Sequence, residues 1–322
     1  MEYRLTPLKS AIAALSLAFG VVGTQSADAT SQIPTRSDAA EVQGLMARVG
    51  SASKVALRGY KMAGMQDVKS HTLTDSERAE VAAALASLPT LNRHILEKNL
   101  HHLAFLDGIP GEGTALTSPA PKKGLYDITI RASVLKESLS TFLTTKEHRV
   151  FTADGSGLAV SVAGTGVDAL TYLLLHESTH VLDFSCKTTT EPHSRFVEGI
   201  WTDTHTMVPQ LASSAAATTY FHQGHPLGIG KAVTVYDSLA QSPFVSLYAT
   251  ASEREDLAEL VAWRVIMNQH GGNLRIEVSD FQGKILRRWE PLTFPGVKER
   301  FAEVDELLAS KEYCAPRFNS GE

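Results

Sequence analysis

The feature that most constrains this chain is a segment, residues 173–182, that is apolar except around His176, Glu177 and His180. Apolar residues at helical spacing predict a helix packed inside the protein. Charged and polar side chains inside a protein are costly unless each has a partner. The fold must therefore bring partners for these side chains to the helix.

The chain before this helix divides into a helical part and a loop. Residues 30–110 have apolar residues at helical spacing and predict a helical N-terminal segment. Its last predicted helix, over residues 91–106, includes His101 and His102, which we interpret as ordinary surface or packing residues. Residues 108–123 are rich in Gly, Pro, Ser and Thr and predict a loop at a subdomain boundary.

Residues 120–322 form the predicted second domain, which mixes strands with helices. Alternating apolar residues predict a strand at 126–131, and two further runs flank a turn at 280–283 as a hairpin. Thr165 is the predicted cap of the histidine helix, with Asp168 as the acidic half of a capping box. The fold class expected from these elements is α+β.

Residues 1–29 have the pattern of a secretory signal peptide. Arg4 and Lys9 precede a short apolar run over residues 11–23, and the sequence Ala-Asp-Ala at 27–29 offers a cleavage site. The run is too short to span a bilayer comfortably, and an uncleaved N-terminal anchor is the alternative. We therefore expect an exported protein, periplasmic or secreted, with no stable membrane span after cleavage.

The charge of the chain argues against a nucleic-acid partner. Its formal net charge is −5, and no dense cluster of Lys and Arg occurs along it. Proteins that bind nucleic acid usually carry a basic patch or stripe. We therefore expect a different class of partner.

The order His176-Glu177-Ser178-Thr179-His180 has a chemical meaning on a helix. Residues four apart lie on one face, so both histidines can direct a ring nitrogen at one metal ion. The motif predicts one Zn²⁺ ion, and Glu177 can take a proton from the water that such an ion activates. A chance occurrence of three matching letters is the alternative.

A catalytic zinc ion needs a third protein ligand, and the residues leave two candidates. Asp183 lies seven residues after His176, on the same helix face. Glu255 and Glu259 share one face of a later predicted helix, so that one can bind metal while the other orients a histidine. A capping box formed by Ser252 and Glu255 is the alternative for that glutamate.

The two segments together resemble the gluzincin metallopeptidases and are most similar to the anthrax lethal factor-type peptidases. The shared pattern is His-Glu-x-x-His-x-x-Asp at 176–183 and Glu-x-x-Ala-Glu at 255–259, with Tyr248 seven residues before Glu255. The resemblance covers only these short segments, and the loop between them is long for that family.

The resemblance implies a zincin-like domain with a small mixed sheet, an active-site helix and a ligand helix. It implies that His176, His180 and Glu255 bind the zinc ion. It places Glu259 and Asp183 around these ligands, and Asp183 remains the alternative third ligand.

By the same resemblance, Glu177 is the general base and Tyr248 donates to the developing oxyanion. The expected function is that of an exported zinc metallopeptidase, an endopeptidase that hydrolyses peptide bonds in proteins or peptides. A non-catalytic zincin-fold binding protein and a peptidase acting on cell-wall peptides are the alternatives.

The chain has two cysteines, Cys186 and Cys314. An even number of cysteines in an exported protein predicts a disulfide bond, here between the end of the histidine helix and the C-terminal tail. Two separate thiols are the alternative.

Overall fold

The computed structural model describes residues 36–310, except 63, 110–114, 192 and 223, together with Cys314. The predicted signal peptide, residues 1–29, lies outside these described residues. Within the described chain, helices and small sheets are mixed, and the predicted α+β class is confirmed.

The bounds of the regular elements follow in chain order. The α-helices are α1 (Arg36–Met46), α2 (Lys54–Met62), α3 (Asp75–Ala86), α4 (Thr90–Asn99), α5 (Leu139–Glu147), α6 (Ala169–Cys186), α7 (Pro209–Ala212), α8 (Ala232–Leu239), α9 (Glu253–His270) and α10 (Pro295–Ala309). The strands are β1 (Val49–Gly50), β2 (Lys69–Ser70), β3 (Leu100–Asp107), β4 (Ala115–Pro119), β5 (Tyr126–Arg131), β6 (Phe151–Thr152), β7 (Ala159–Gly164), β8 (Trp201–Asp203), β9 (Thr206–Met207), β10 (Leu227–Gly228), β11 (Leu274–Ser279) and β12 (Ile285–Trp289).

Two sheets contain most of the strands. The larger has the order β1-β3-β5-β4, with β2 also paired to β3. Strand β3 is parallel to β1 and β5, whereas β4 is antiparallel to β5 and lies at an edge. The smaller sheet is antiparallel, with the order β12-β11-β7, and it contains the predicted hairpin. The five-stranded sheet is therefore mixed in direction.

The helix predicted over residues 91–106 is wrong in its second half. Helix α4 ends at Asn99, and Leu100–Asp107 forms β3 between β1 and β5. A strand that is buried on both faces reads as an apolar run, which periodicity cannot distinguish from a helix. Strand β3 pairs with β5, so a strand of the first predicted segment lies beside a strand of the second.

Helix α6 lies at the centre of the described chain, packed against α3, α4, α5, α9 and β4. Its predicted cap is wrong. Asp168 is the N-cap, and its carboxylate accepts the amide N–H of Thr171 at 2.7 Å. The hydroxyl of Thr165 instead accepts the amide N–H of Asn273 at 2.9 Å and so links the turn before α6 to the residue before β11.

Among the described residues, no helix has both the length and the apolar character needed to cross a membrane.

Candidate metal centre

Helix α6 is buried on every side through residues 169–183. Its polar side chains therefore need partners inside the protein. The Asn92 amide of α4 donates to the Ser178 hydroxyl at 2.8 Å. The hydroxyls of Ser178 and Thr179 donate in turn to the backbone carbonyl of Leu175. Ser178 and Thr179, the two middle residues of the motif, therefore have hydrogen-bond partners inside the protein.

The two histidines of α6 meet Glu255 of α9. Nε2 of His176 lies 2.9 Å from Oε2 of Glu255, and Nε2 of His180 lies 3.4 Å from the same oxygen. The two Nε2 atoms are 3.1 Å apart. Ser252 caps α9 through the Glu255 backbone, whose N–H it accepts at 3.2 Å. Because this cap uses only the backbone of Glu255, the carboxylate of Glu255 remains available to contact the histidines.

The three facing atoms fit the size of a zinc site. In a tetrahedral site with zinc–ligand distances of about 2.0–2.2 Å, neighbouring ligand atoms lie about 3.3–3.6 Å apart. The separation of 3.4 Å lies in that range, and those of 2.9 and 3.1 Å are a few tenths of an ångström shorter. A shared proton joins only two of these atoms, whereas a cation can bond to all three. Two imidazoles and one carboxylate are also the chemistry that zinc accepts.

The surroundings of the triad favour a positive charge. Burial alone would lower the pKa of His176, but the carboxylates of Glu255 and Glu259 raise it to about 10. Burial alone would raise the pKa of Glu255, but the charge of His180 and hydrogen bonds from both histidines hold it well below its ordinary value. The carboxylates therefore place negative charge around the Nε2 atoms of His176 and His180, the two possible nitrogen ligands of a metal ion.

Glu259 contacts His176 on the side of the ring away from Glu255. Its Oε1 lies 3.2 Å from Nδ1 of His176. The Tyr172 hydroxyl donates to Oε1 of Glu259, and the Ser246 hydroxyl donates to Oε2 at 2.6 Å. A carboxylate beside Nδ1 favours the tautomer that leaves the Nε2 lone pair free for a metal.

Lys146, in the last turn of α5, is the positive partner of this carboxylate. Its Nζ lies 3.7 Å from Oε1 of Glu259 and 3.3 Å from the ring centroid of Tyr248. Burial lowers the pKa of Lys146, and the charge of Glu259 opposes this. Burial would likewise raise the pKa of Glu259, but Lys146 and His176 lower it to about 2. Glu259 is therefore ionised at neutral pH.

Glu177 faces the sheet rather than α9. Its carboxylate accepts a hydrogen bond of 2.6 Å from the hydroxyl of Thr117, which lies on the edge strand β4. The same hydroxyl is 3.4 Å from the backbone carbonyl of Glu177. This contact fixes the carboxylate next to the first histidine of the triad.

Tyr248 lies in a short 3₁₀ turn, Tyr248–Thr250, just before α9. Its ring centroid is 5.9 Å from that of His176 and 5.2 Å from that of Phe221. Burial, followed by the charges of Glu255 and Glu177, raises the pKa of Tyr248 well above its ordinary value. The hydroxyl therefore keeps its proton and can serve as a hydrogen-bond donor.

Asp183 does not join the three facing atoms. Its carboxylate accepts the Thr189 amide at 2.7 Å and the Thr189 hydroxyl at 3.0 Å, and it lies 3.7 Å from Nε of Arg254. Burial raises its pKa, while these bonds to Thr189 and the Arg254 charge oppose the rise. Asp183 thus ties the chain after α6 to the start of α9.

Four further side chains contact residues of the centre, and the sequence does not predict any of these contacts. None of them belongs to the two motifs, and each comes from a different place in the chain: Thr117, Lys146, Tyr172 and Ser246. Tyr172 is the nearest case to a detectable one, because it lies four residues before His176 on α6. The others depend on how α5, β4 and the segment before α9 pack.

The two cysteines form a disulfide bond between Cys186 and Cys314. Cys186 is the last residue of α6, and Lys187, in the left-handed region with φ of 54°, follows as the C-cap. The bond therefore ties the end of the histidine helix to a residue near the C-terminus.

We compared the chain with protein-family models, with curated proteins and with solved structures, and found no match in any of the three. The assignment of chemistry to this centre therefore rests on its own side chains.

Proposed function

We propose that the protein is an exported zinc-dependent metallopeptidase that hydrolyses peptide bonds in proteins or peptides. One observation carries the proposal: two histidine nitrogens and a carboxylate oxygen from separate helices converge within 3.4 Å of one another. In our proposal, His176, His180 and Glu255 hold one zinc ion, and the domain around them is zincin-like.

The chemistry of the site follows from the side chains beside these ligands. A bound zinc ion supplies Lewis acidity for a carbonyl group and for water. Glu177, oriented by Thr117, takes the proton of the attacking water and passes it to the leaving amine. The Tyr248 hydroxyl donates to the oxyanion that develops on the scissile carbonyl.

The edge strand β4 supports a peptide as substrate. Within the described residues β4 pairs only with β5, so its other edge has unpaired backbone N–H and C=O groups. An extended peptide can bind such an edge by strand addition. Thr117 lies on this strand and contacts Glu177, so a peptide bound there would pass the proposed base.

Two features support export. The sequence pattern of residues 1–29 is that of a signal peptide. The disulfide between Cys186 and Cys314 is of the kind that persists in oxidising compartments such as the periplasm or the extracellular space.

Metal content and cleavage of a peptide library test the proposal together. We expect the wild-type protein to cleave peptides, to lose activity with a chelator, and to regain it when zinc is restored. Glu177→Gln should retain the zinc and lose activity, whereas Glu255→Ala should lose one equivalent of zinc. A matched control is Glu137→Gln, because Glu137 pairs with Arg131 and is not one of the residues assigned to the centre.

The outcomes separate the alternatives. If Glu255→Ala binds as much zinc as the wild type, the proposed ligand set is wrong. If zinc is bound but casein, the peptide library and peptidoglycan all remain uncleaved, the peptidase proposal fails. Cleavage of peptidoglycan without cleavage of casein would identify cell-wall peptides as the substrate.

A further inference from the structure

A second cluster of metal-ligand side chains lies on the five-stranded sheet. Nδ1 of His101 is 2.8 Å from Oδ1 of Asp127, and Nδ1 of His102 is 2.9 Å from Nδ1 of His101. Nδ1 of His102 is also 3.7 Å from Oδ1 of Asp127. The arrangement repeats that of the first centre, with two histidine nitrogens and one carboxylate oxygen facing one another.

Neighbouring residues of a regular strand point to opposite faces of the sheet, so adjacent histidines should not converge. The pairing of β3 with β5 is irregular at this point. Leu100 pairs with Tyr126 and His102 pairs with Asp127, which leaves His101 as an extra residue in β3. Such a β-bulge re-aims a side chain, and bulges are common beside functional sites. The bulge accounts for both rings approaching one carboxylate.

The hydrogen-bonding capacity of the three groups is poorly matched. The Asp127 carboxylate is only an acceptor when ionised, and each neutral imidazole has one N–H. If Nδ1 of His101 donates to Asp127, Nδ1 of His102 faces that same N–H at 2.9 Å. One hydrogen then serves two acceptors, whereas a cation would bond to all three atoms.

Exposure makes the cluster accessible to ions from solvent. The side chain of Asp127 is 5% exposed, whereas those of His101 and His102 are 32% and 40% exposed. The carboxylate thus provides a fixed, buried anchor, and the histidines form the open side of the cluster.

The cluster is separate from the zinc triad of the proposed function. Thr117 pairs with Ile128 and contacts Glu177 of α6, whereas Asp127 pairs with Ser118, the next residue of β4. Because successive residues of a strand alternate between faces, Asp127 lies on the face of the sheet away from Glu177.

We propose that His101, His102 and Asp127 form a second metal site, which binds a divalent transition-metal ion such as zinc. Imidazole nitrogens favour zinc, copper, nickel and iron, whereas all-oxygen sites favour magnesium and calcium. Three protein ligands leave at least one coordination position for water or for a ligand from solution.

Zinc binding in a protein without the first site tests this proposal. The variant His180→Ala/Glu255→Ala removes two of the three proposed ligands of the first centre. We expect the full-length variant, stripped with chelator and dialysed against Zn²⁺ alone, to retain one equivalent of zinc. Adding His102→Ala should weaken that binding by about 100-fold or more, because loss of a ligand costs at least as much as the 10–100-fold lost with the outer partner of a ligand. Cobalt substitution should give a visible spectrum that the added change abolishes.

His148→Ala is the matched control, since His148 is exposed and lies at the end of α5. It should leave zinc binding unchanged. His102 is partly exposed, so its replacement should leave the melting temperature nearly unchanged. The proposal is overturned if the His180→Ala/Glu255→Ala protein binds no zinc, or if adding His102→Ala leaves its zinc binding unaltered. Neither result bears on the first centre, which is measured by the zinc that the wild type loses on Glu255→Ala.

Discussion

The ring of His176 lies between two carboxylates of one helix. Its Nε2 is 2.9 Å from Glu255, and its Nδ1 is 3.2 Å from Glu259. The two glutamates lie four residues apart on α9, so their carboxylates are one helix turn apart on the same face. Each carboxylate contacts a different nitrogen of the His176 ring. One carboxylate can share a metal ion with the ring while the other holds the ring in place.

Replacement of Glu259 should therefore weaken metal binding without removing a ligand. We expect Glu259→Gln to lower the zinc affinity by about 10–100-fold, the usual cost of losing the partner of a histidine ligand. Competition with a chromogenic chelator measures this affinity. Ser246→Ala, which removes one hydrogen bond to Glu259 and leaves its charge, should have a smaller effect. Equal affinities for the wild type and Glu259→Gln would contradict the role of Glu259.

Tyr248→Phe tests the oxyanion donor. The change removes the hydroxyl but retains the ring that contacts Phe221 and Lys146. We expect kcat to fall by about 10²–10³, as for loss of an oxyanion donor, with KM and zinc content nearly unchanged. Steady-state kinetics on a fluorogenic peptide measure both constants. A variant with wild-type kcat would exclude the hydroxyl from catalysis.

Thr117→Val tests the bond that orients Glu177. The change keeps the shape of the side chain and removes the donor of the 2.6 Å hydrogen bond. We expect activity to fall by about 10–100-fold with the zinc content unchanged, because a hydrogen bond to a charged group contributes about 1.5–3 kcal/mol. The control is Ser118→Ala on the same strand, whose side chain points to the other face. Similar activities for the two variants would argue that Thr117 does not position Glu177.

Local patterns in the sequence predicted the elements that depend on local spacing. The hairpin of β11 and β12, strand β5 and the two helices with histidines and glutamates all follow from such patterns. The distance between the helices does not, because it depends on packing between residues far apart in the chain. For this reason the sequence predicts the glutamates of α9 as site residues, whereas it predicts neither Lys146 nor Thr117.

The errors have the same origin. The apolar run after Asn99 forms strand β3 because it pairs with two parallel strands, β1 and β5. A local sequence pattern contains no information about such neighbours. Helical spacing therefore places His101 and His102 on a predicted helix, and no local pattern predicts the bulge that brings them together. The cap at Asp168 instead of Thr165 reflects a choice between two residues that are both good caps.

Glu147 should give the protein a pH-dependent stability. It is buried at the end of α5 and accepts a hydrogen bond of 2.6 Å from Tyr236. Burial raises its pKa from 4.5 to about 7, although the Tyr236 bond and the Lys146 charge oppose the rise. Between these values the folded protein binds more protons than the unfolded chain, so the free energy of unfolding falls as pH rises, by at most about 3 kcal/mol.

Glu147→Gln should remove this dependence, since glutamine can still accept from Tyr236 but does not ionise. We expect the variant to be as stable as the wild type below pH 4.5 and more stable well above neutral pH. Urea unfolding followed across this range measures the difference. Parallel stability curves for the two proteins would show that Glu147 does not titrate as proposed.

The disulfide should stabilise the folded chain mainly by restricting the unfolded one. Cys186 and Cys314 are 128 residues apart, so the bond closes a long loop. We expect Cys186→Ser/Cys314→Ser to lower the free energy of unfolding by about 2–4 kcal/mol. Because the proposed zinc ligands do not include either sulfur, the variant should keep its zinc at temperatures where it remains folded. Mass spectrometry after alkylation checks the bond itself, and two reactive thiols in the native protein would contradict it.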